Sequence, residues 1–204
     1  MKWILYDIGG VLEIVDDHDW PQTLHERWSA RHGVTVKELR ARLQAAELPD
    51  MALRTGVAEE YWRKLGAALG ADKSTIATMR SEFWDAYCGE ANAELLNHAR
   101  SLQSRAGLAI LSNSGDGARE EEERRFGFAS LFDPICYSHE QGVAKPDPAA
   151  YLTALKRMGA SAEQVLFIDD NEEPLRGADG CGIHTVLHRD NATTIAAIET
   201  FLGT

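Results

Sequence analysis

Four short apolar runs, each ending on a polar or acidic residue, constrain this chain more than any other feature. They are Trp3–Tyr6 before Asp7, Leu108–Leu111 before Ser112 and Asn113, Pro134–Tyr137 before Ser138, and Val165–Ile168 before Asp169 and Asp170. A weaker fifth run is His184–Leu187. A strand wetted on one face alternates apolar and polar residues, so runs this continuous suit strands covered on both faces, as in a parallel sheet. Helical patterns fill the gaps at residues 91–105, with Leu95, Leu96, Ala99 and Leu102 on one stripe, and at 116–126, 147–158, 171–180 and 191–202. The third of these follows Lys145-Pro146, and proline suits a helix start. Strands alternating with helices predict an α/β fold built on a doubly wound parallel sheet.

The stretch from 16 to 88 has a different character. It is rich in Ala, Leu, Arg and Glu, carries Trp20, Trp28, Trp62 and Trp84, and is broken at Gly33, Pro49-Asp50 and Gly70-Ala71-Asp72. It predicts four helices inserted after the first strand. The expected division is therefore a core of residues 1–15 and 89–204 and a small inserted α-helical domain of residues 16–88. The tryptophans read as core side chains. Trp20 is the least settled of them, because it lies near the entry to the insert. The acidic run Glu120–Glu123 reads as a solvated helix face.

Composition narrows the partners. The 204 residues hold 21 Lys and Arg against 32 Asp and Glu, a net charge of −11. Nucleic acids and anionic membranes are bound through clustered cations, so neither is an expected partner. Cys88, Cys136 and Cys181 are odd in number and far apart, with no Cys-x-x-Cys, which fits reduced thiols in a cytoplasm. The first residues lack the unbroken apolar stretch of a signal peptide, and no run reaches membrane-spanning length. The expectation is a cytoplasmic protein whose oligomeric state is open.

In a doubly wound sheet, ligands bind beyond the carboxyl ends of the strands. That rule brings together Asp7, Ser112, Asn113, Asp169 and Asp170, with Lys145 on the loop after the third strand. Clustered carboxylates repel one another unless a cation sits among them. Oxygen-only donors favour Mg²⁺, which takes one or two carboxylates together with waters and substrate phosphate oxygens. An aspartate can also act as a nucleophile and form an aspartyl-phosphate. The residues therefore point to Mg²⁺-assisted phosphoryl transfer through Asp7. Ser112 and Asn113 would bind non-bridging oxygens, and Lys145 would balance the phosphate. Each residue also has a plainer role available: a turn cap for Asp7, helix N-caps for Asp169 and Asp170, a solvated lysine, two turn residues. Their joint placement at strand ends favours the functional reading.

Four segments, YDIGGVL (6–12), ILSNS (110–114), SHEQGVAKPDPAAY (138–151) and LFIDDNEE (166–173), give the chain a resemblance to the haloacid dehalogenase-like hydrolase superfamily. Their order and separation match that superfamily and frame most of the expected core. The resemblance implies that Asp7 is the nucleophile, that Ser112 and Asn113 bind the phosphoryl group, and that Lys145 stabilises both. It implies Mg²⁺ held by Asp7, the carbonyl of Gly9 and Asp170, with Asp169 a further ligand or the lysine's partner. It also makes residues 16–88 similar to the small helical cap that closes the site in one branch. The implied activity is hydrolysis of a small phosphorylated metabolite, a sugar phosphate among the candidates.

One position departs from that pattern. Typical phosphatases of the superfamily carry an aspartate two residues after the nucleophile as general acid and base, and here that position is Gly9. General acid catalysis is worth about 10²–10⁴-fold, most of it with poor leaving groups. Three explanations stand: an activated substrate, an acid from elsewhere such as Glu13, His18 or a substrate hydroxyl, or lost catalysis. Two other functions remain open beside the phosphatase: a 2-haloacid dehalogenase and a catalytically silent binding or regulatory protein.

Overall fold

In the structure, a computed structural model that describes residues 1–15 and 19–203, five parallel strands form one sheet. They are β1 (Trp3–Tyr6), β4 (Gly107–Ser112), β5 (Ile135–Tyr137), β6 (Val165–Asp169) and β7 (His184–Leu187), in spatial order β5-β4-β1-β6-β7. β1 is central and pairs with both β4 and β6, Tyr6 lying opposite Ile110 on one side and Ile168 on the other. The chain builds outward from β1 first in one direction and then in the other. This places a topological switch point, and hence a crevice, between the carboxyl ends of β1 and β6.

Alternate residues of the strands feed two separate cores, which is why the apolar runs are nearly unbroken. On one face Ile4, Tyr6, Ile110 and Ile168 pack against Leu95, Leu96 and Ala99 of α5 (Ala93–Ser101) and Ile198 of α10 (Asn191–Leu202). On the other, Leu5, Ala109, Leu111 and Phe167 meet Tyr151, Ala154 and Leu155 of α8 (Pro148–Met158) and Leu175 and Ala178 of α9 (Glu172–Gly180). Each fully buried side chain of this size is worth about 1.5–3 kcal/mol relative to exposure. Local signals set the ends of α8: Pro148 at the first turn, Asp147 accepting from the Ala149 N–H at 2.8 Å, and Gly159 after the last turn.

Between β1 and β4 the chain forms α1 (Trp20–Arg31), α2 (Val36–Ala45), α3 (Ala58–Leu69) and α4 (Lys73–Cys88). They surround a third apolar cluster of their own, with Leu24, Trp28, Leu39, Trp62, Leu65 and Met79 at its centre. Gly70 ends α3 in the left-handed region (φ 63°), and the Asp72 carboxylate then accepts the Thr75 N–H at 2.8 Å to start α4.

Two expectations need correction, and one short helix had no counterpart in the sequence pattern. Residues 91 and 92 are not helical: Glu13–Ile14 (β2) pairs antiparallel with Glu90–Ala91 (β3), and Asn92 caps α5 through the Leu95 N–H. Two-residue strands are too short for periodicity to reveal. A four-residue helix, α7 (Ser138–Gln141), follows β5 directly. The acidic run in α6 (Ala118–Phe126) is not wholly solvated, because Glu122 is fully buried and accepts a hydrogen bond from the Tyr137 hydroxyl. A partner on a distant strand outweighs the local charge pattern there.

Candidate active site

The crevice holds the groups that strand-end reasoning gathers. Asp7 follows β1 directly; its N–H extends the ladder to the Ile168 carbonyl at 2.9 Å, and its carboxylate accepts the Ile8 N–H at 2.7 Å. Asp169 ends β6 and is buried; one carboxylate oxygen accepts the Asn171 N–H at 2.9 Å. The Lys145 ammonium, itself buried, lies 2.8 Å from Asp7 Oδ1 and 2.7 Å from Asp169 Oδ2. Burial alone would lower the Lys145 pKa, but the two carboxylates outweigh it and the net shift is upward. Burial also pushes the Asp7 carboxyl up to about 7, against the pull of Lys145 and with the Asp169 charge adding to the rise.

Carboxylate oxygens of Asp7, Asp169 and Asp170 all lie within 4.8 Å of one another. The donor set is oxygen-only and convergent, the kind of set that Mg²⁺ takes, so the residues present fit Mg²⁺. Gly10 helps to bring them together. It sits at φ +73°, and a Cβ there would lie 2.1 Å from Asp170 Oδ2, so only glycine allows the Asp170 carboxylate this close. Asp169 is tied down by Lys145 and Asn171, whereas Asp170 lines the pocket beside Asp7.

Ser112 ends β4, buried beside Asp7 at the pocket wall. Asn113 also lines the pocket, but its amide is committed to Lys145: Nδ2 donates to the Lys145 carbonyl at 2.9 Å, and Oδ1 accepts the Lys145 N–H at 2.8 Å. Its observed contacts position the lysine loop rather than face a ligand. Gly9 lines the pocket as well, and a Cβ added there would meet nothing within 4 Å, so the space that a larger side chain would fill is open.

The pocket has a volume of about 210 Å³, and its outer wall is formed by Val15, Trp20 and Tyr87. Of the two side-chain acids proposed from sequence, Glu13 lies in this pocket, with its residue 1% exposed and Oε1 lacking any hydrogen-bond partner. Burial and the neighbouring Glu122 and Asp7 charges push its carboxyl up to about 10, against the weaker pull of Arg125. His18 lies outside the described residues.

Sequence reasoning missed the contacts behind the site. The Ser138 hydroxyl donates to the Ala52 carbonyl at 2.8 Å and accepts the Ser114 N–H at 2.9 Å, while Ser114 Oγ lies 2.7 Å from His139 Nδ1. Asp116 accepts the Val57 and Ala58 N–H groups at 2.6 and 2.7 Å, capping α3 from across the chain. Only the polar cluster Ser112–Ser114 hinted at these contacts; partners 24 to 86 residues apart leave no local pattern.

Comparison with known proteins gives the family. A protein-family profile described as haloacid dehalogenase-like hydrolase matches residues 1–182, and the chain belongs to that family. It is 34% identical over 155 residues to rat (Rattus norvegicus) bifunctional epoxide hydrolase 2, a match covering 72% of this chain and 27% of that protein. The chain thus spans about a quarter of that relative's length. It is 24% identical over 187 residues to haloacid dehalogenase-like hydrolase domain-containing protein 3 of zebrafish (Danio rerio), covering 84% of this chain and 77% of the relative. Among solved structures, a haloacid dehalogenase family enzyme of Bacteroides thetaiotaomicron, in complex with magnesium and inorganic phosphate, superposes with a TM-score of 0.75 at 18% identity, covering 96% of this chain and 98% of that one. That likeness concerns the fold. No helix among the described residues is long and apolar enough to cross a membrane.

Proposed function

We propose that this hydrolase is a Mg²⁺-dependent phosphatase of small phosphorylated metabolites, acting through an aspartyl-phosphate on Asp7. The observation that carries the reading is the Lys145 ammonium shared between Asp7 and Asp169 at 2.8 and 2.7 Å, with Asp170 completing a three-carboxylate cation site. Asp7, Asp170 and the Gly9 carbonyl would hold Mg²⁺, and Asp169 would act chiefly as the partner that fixes Lys145. The bound ion supplies positive charge against the phosphoryl oxygens. Relatives support the direction: a 63-residue stretch covering 30% of the chain is 33% identical to a glyceraldehyde 3-phosphate phosphatase of Methanopyrus kandleri.

The Asp7 carboxylate attacks phosphorus, and the bond to the leaving oxygen breaks. Ser112 and Lys145 balance the phosphoryl oxygens, and Asn113 keeps Lys145 in place. Glu13, in the same pocket and with one oxygen unpartnered, gives the leaving oxygen its proton. Water then adds to the phosphorus of the acyl phosphate, returning a proton to Glu13 and releasing inorganic phosphate. Residues 16–88 act as a cap over the site, and the paired β2 and β3 strands are its stem. The location we infer is the cytoplasm.

Phosphate release from acetyl phosphate, p-nitrophenyl phosphate and glucose 1-phosphate, with and without Mg²⁺, tests this reading. The expected result is metal-dependent release that disappears in Asp7→Asn. Release that survives Asp7→Asn, or none from any of the three, overturns it; halide release from 2-chloropropionate would then mark a dehalogenase.

A further inference from the structure

We propose that the pocket beyond Asp7 accepts a compact, uncharged polyol as the leaving group, seated against Trp20 and Tyr87, and rejects substrates that bear a second anionic group. This rests on the phosphatase reading and narrows it.

Size is the first argument. Drug-sized ligand sites occupy about 300–1,000 Å³, whereas this pocket has about 210 Å³ for phosphoryl group and leaving group together. The enclosed space suits a few carbons with their hydroxyls. Charge is the second. None of the described residues lining the pocket is cationic. Lys145, beneath it, is already shared by two carboxylates. Arg27 and Arg189 line the two neighbouring cavities rather than this one. Beyond a cation held at Asp170, the wall offers no positive group, so a carboxylate or second phosphate on the substrate would give up hydration there without a counter-charge.

The wall itself is the third argument. The Trp20 ring is held edge-on by Phe83 (5.4 Å between centroids) and by Tyr87 (6.2 Å), so its orientation is set before a ligand arrives. Such rings present an apolar surface to the C–H face of a polyol. This also accounts for Trp20 being the one tryptophan of the helical segment that is not enclosed in a core, since Trp28, Trp62 and Trp84 are buried.

Glycerol 3-phosphate and 3-phosphoglycerate form a matched pair of probes that differ by a terminal CH₂OH against a carboxylate. Two measurements use them with Mg²⁺ present. Calorimetric titration into Asp7→Asn protein reads binding without turnover, and kcat/KM of the unaltered protein reads the reaction. Glycerol 3-phosphate is expected to bind at least tenfold more tightly and to turn over at least tenfold better. Equal or tighter binding of 3-phosphoglycerate overturns the proposal. In the unaltered protein, Trp20→Ala should raise KM for glycerol 3-phosphate about tenfold while changing kcat/KM for acetyl phosphate less than threefold, and Trp20→Phe should restore most of the loss. An equal fall for both substrates would make Trp20 a structural residue and overturn its part. If neither phosphate ester nor acetyl phosphate is hydrolysed, the phosphatase reading has failed, and the binding arm still decides what the pocket prefers.

Discussion

Asp7 and Asp169 share one lysine at 2.8 and 2.7 Å, whereas Glu13 in the pocket wall and its charged neighbour Glu122, also enclosed, each keep an oxygen with no hydrogen-bond partner. Burial is the same in the two regions; the counter-charge is not. With Lys145 between them, the aspartates are built to carry negative charge toward a cation and a phosphate. Beside Glu122, and with Arg125 pulling only weakly, Glu13 is pushed up to about 10, and Glu122, hydrogen-bonded by Tyr137, is still pushed up to about 8. The pocket thus has a floor whose acids share a buried cation and, in Glu13, a wall acid held in its protonated form. Environment divides the acid groups into two kinds of chemistry.

Removing the shared counter-charge should give the largest effect. Lys145→Met leaves Asp7 and Asp169 buried and unpaired, which costs about 3–5 kcal/mol by comparison with other broken buried pairs. For a chain of this length that is a fall in Tm of roughly 10 °C. Turnover should vanish with it. Mg²⁺ should recover part of the lost Tm, because the cation substitutes for the ammonium. Thermal unfolding with and without Mg²⁺ checks this, and an unchanged Tm would mean that the lysine does not hold the floor together.

The protonated wall is tested by leaving group. Glu13→Gln cannot give up a proton, so kcat/KM for a sugar phosphate with a poor leaving group should fall about 10²-fold, while kcat/KM for acetyl phosphate, which reports only attack by Asp7, is nearly unaffected. Gly9→Asp is the converse. Nothing lies within 4 Å of a Cβ at that position, so the side chain can be accommodated. It should restore roughly tenfold or more of the rate in the Glu13→Gln background. If Gly9→Asp accelerates the unaltered protein greatly and Glu13→Gln changes nothing, the wall is not the source of the proton.

The two regions also differ in how much of them the sequence reveals. Asp7, Ser112, Asn113, Asp169 and Asp170 were legible because each sits at the end of an apolar run, and strand ends in a parallel sheet share one edge. Lys145 came from the same logic, on the loop after β5. The four inserted helices were legible from their breaks at Gly33, Pro49 and Gly70. Glu122 was misread because its neighbours on α6 are charged and its partner Tyr137 is 15 residues away on a strand. Asn113 was placed correctly, but its two bonds to the Lys145 backbone depend on loop geometry that no spacing encodes. Side chains directed by strand order could be foreseen; those directed by a distant partner could not.

Glu122 gives the smallest and most specific prediction. Its pKa lies at about 8 in the folded protein, raised chiefly by burial, with the Tyr137 hydrogen bond and Arg119 pulling down and the Asp7 charge pushing up. The unfolded chain releases the same proton near 4.3. Between those values the folded state holds more protons than the unfolded one, so this group's contribution to stability is present below about pH 4 and declines as pH rises through 8. Glutamine has nearly the same shape and no proton to lose. Glu122→Gln should therefore be close to neutral at pH 5 and should resist urea better than the unaltered protein at pH 9, the gap widening as pH rises toward 8. Urea midpoints across that range decide it. Parallel profiles would mean that Glu122 is already ionised inside the fold, as the lysine-paired aspartates are built to be.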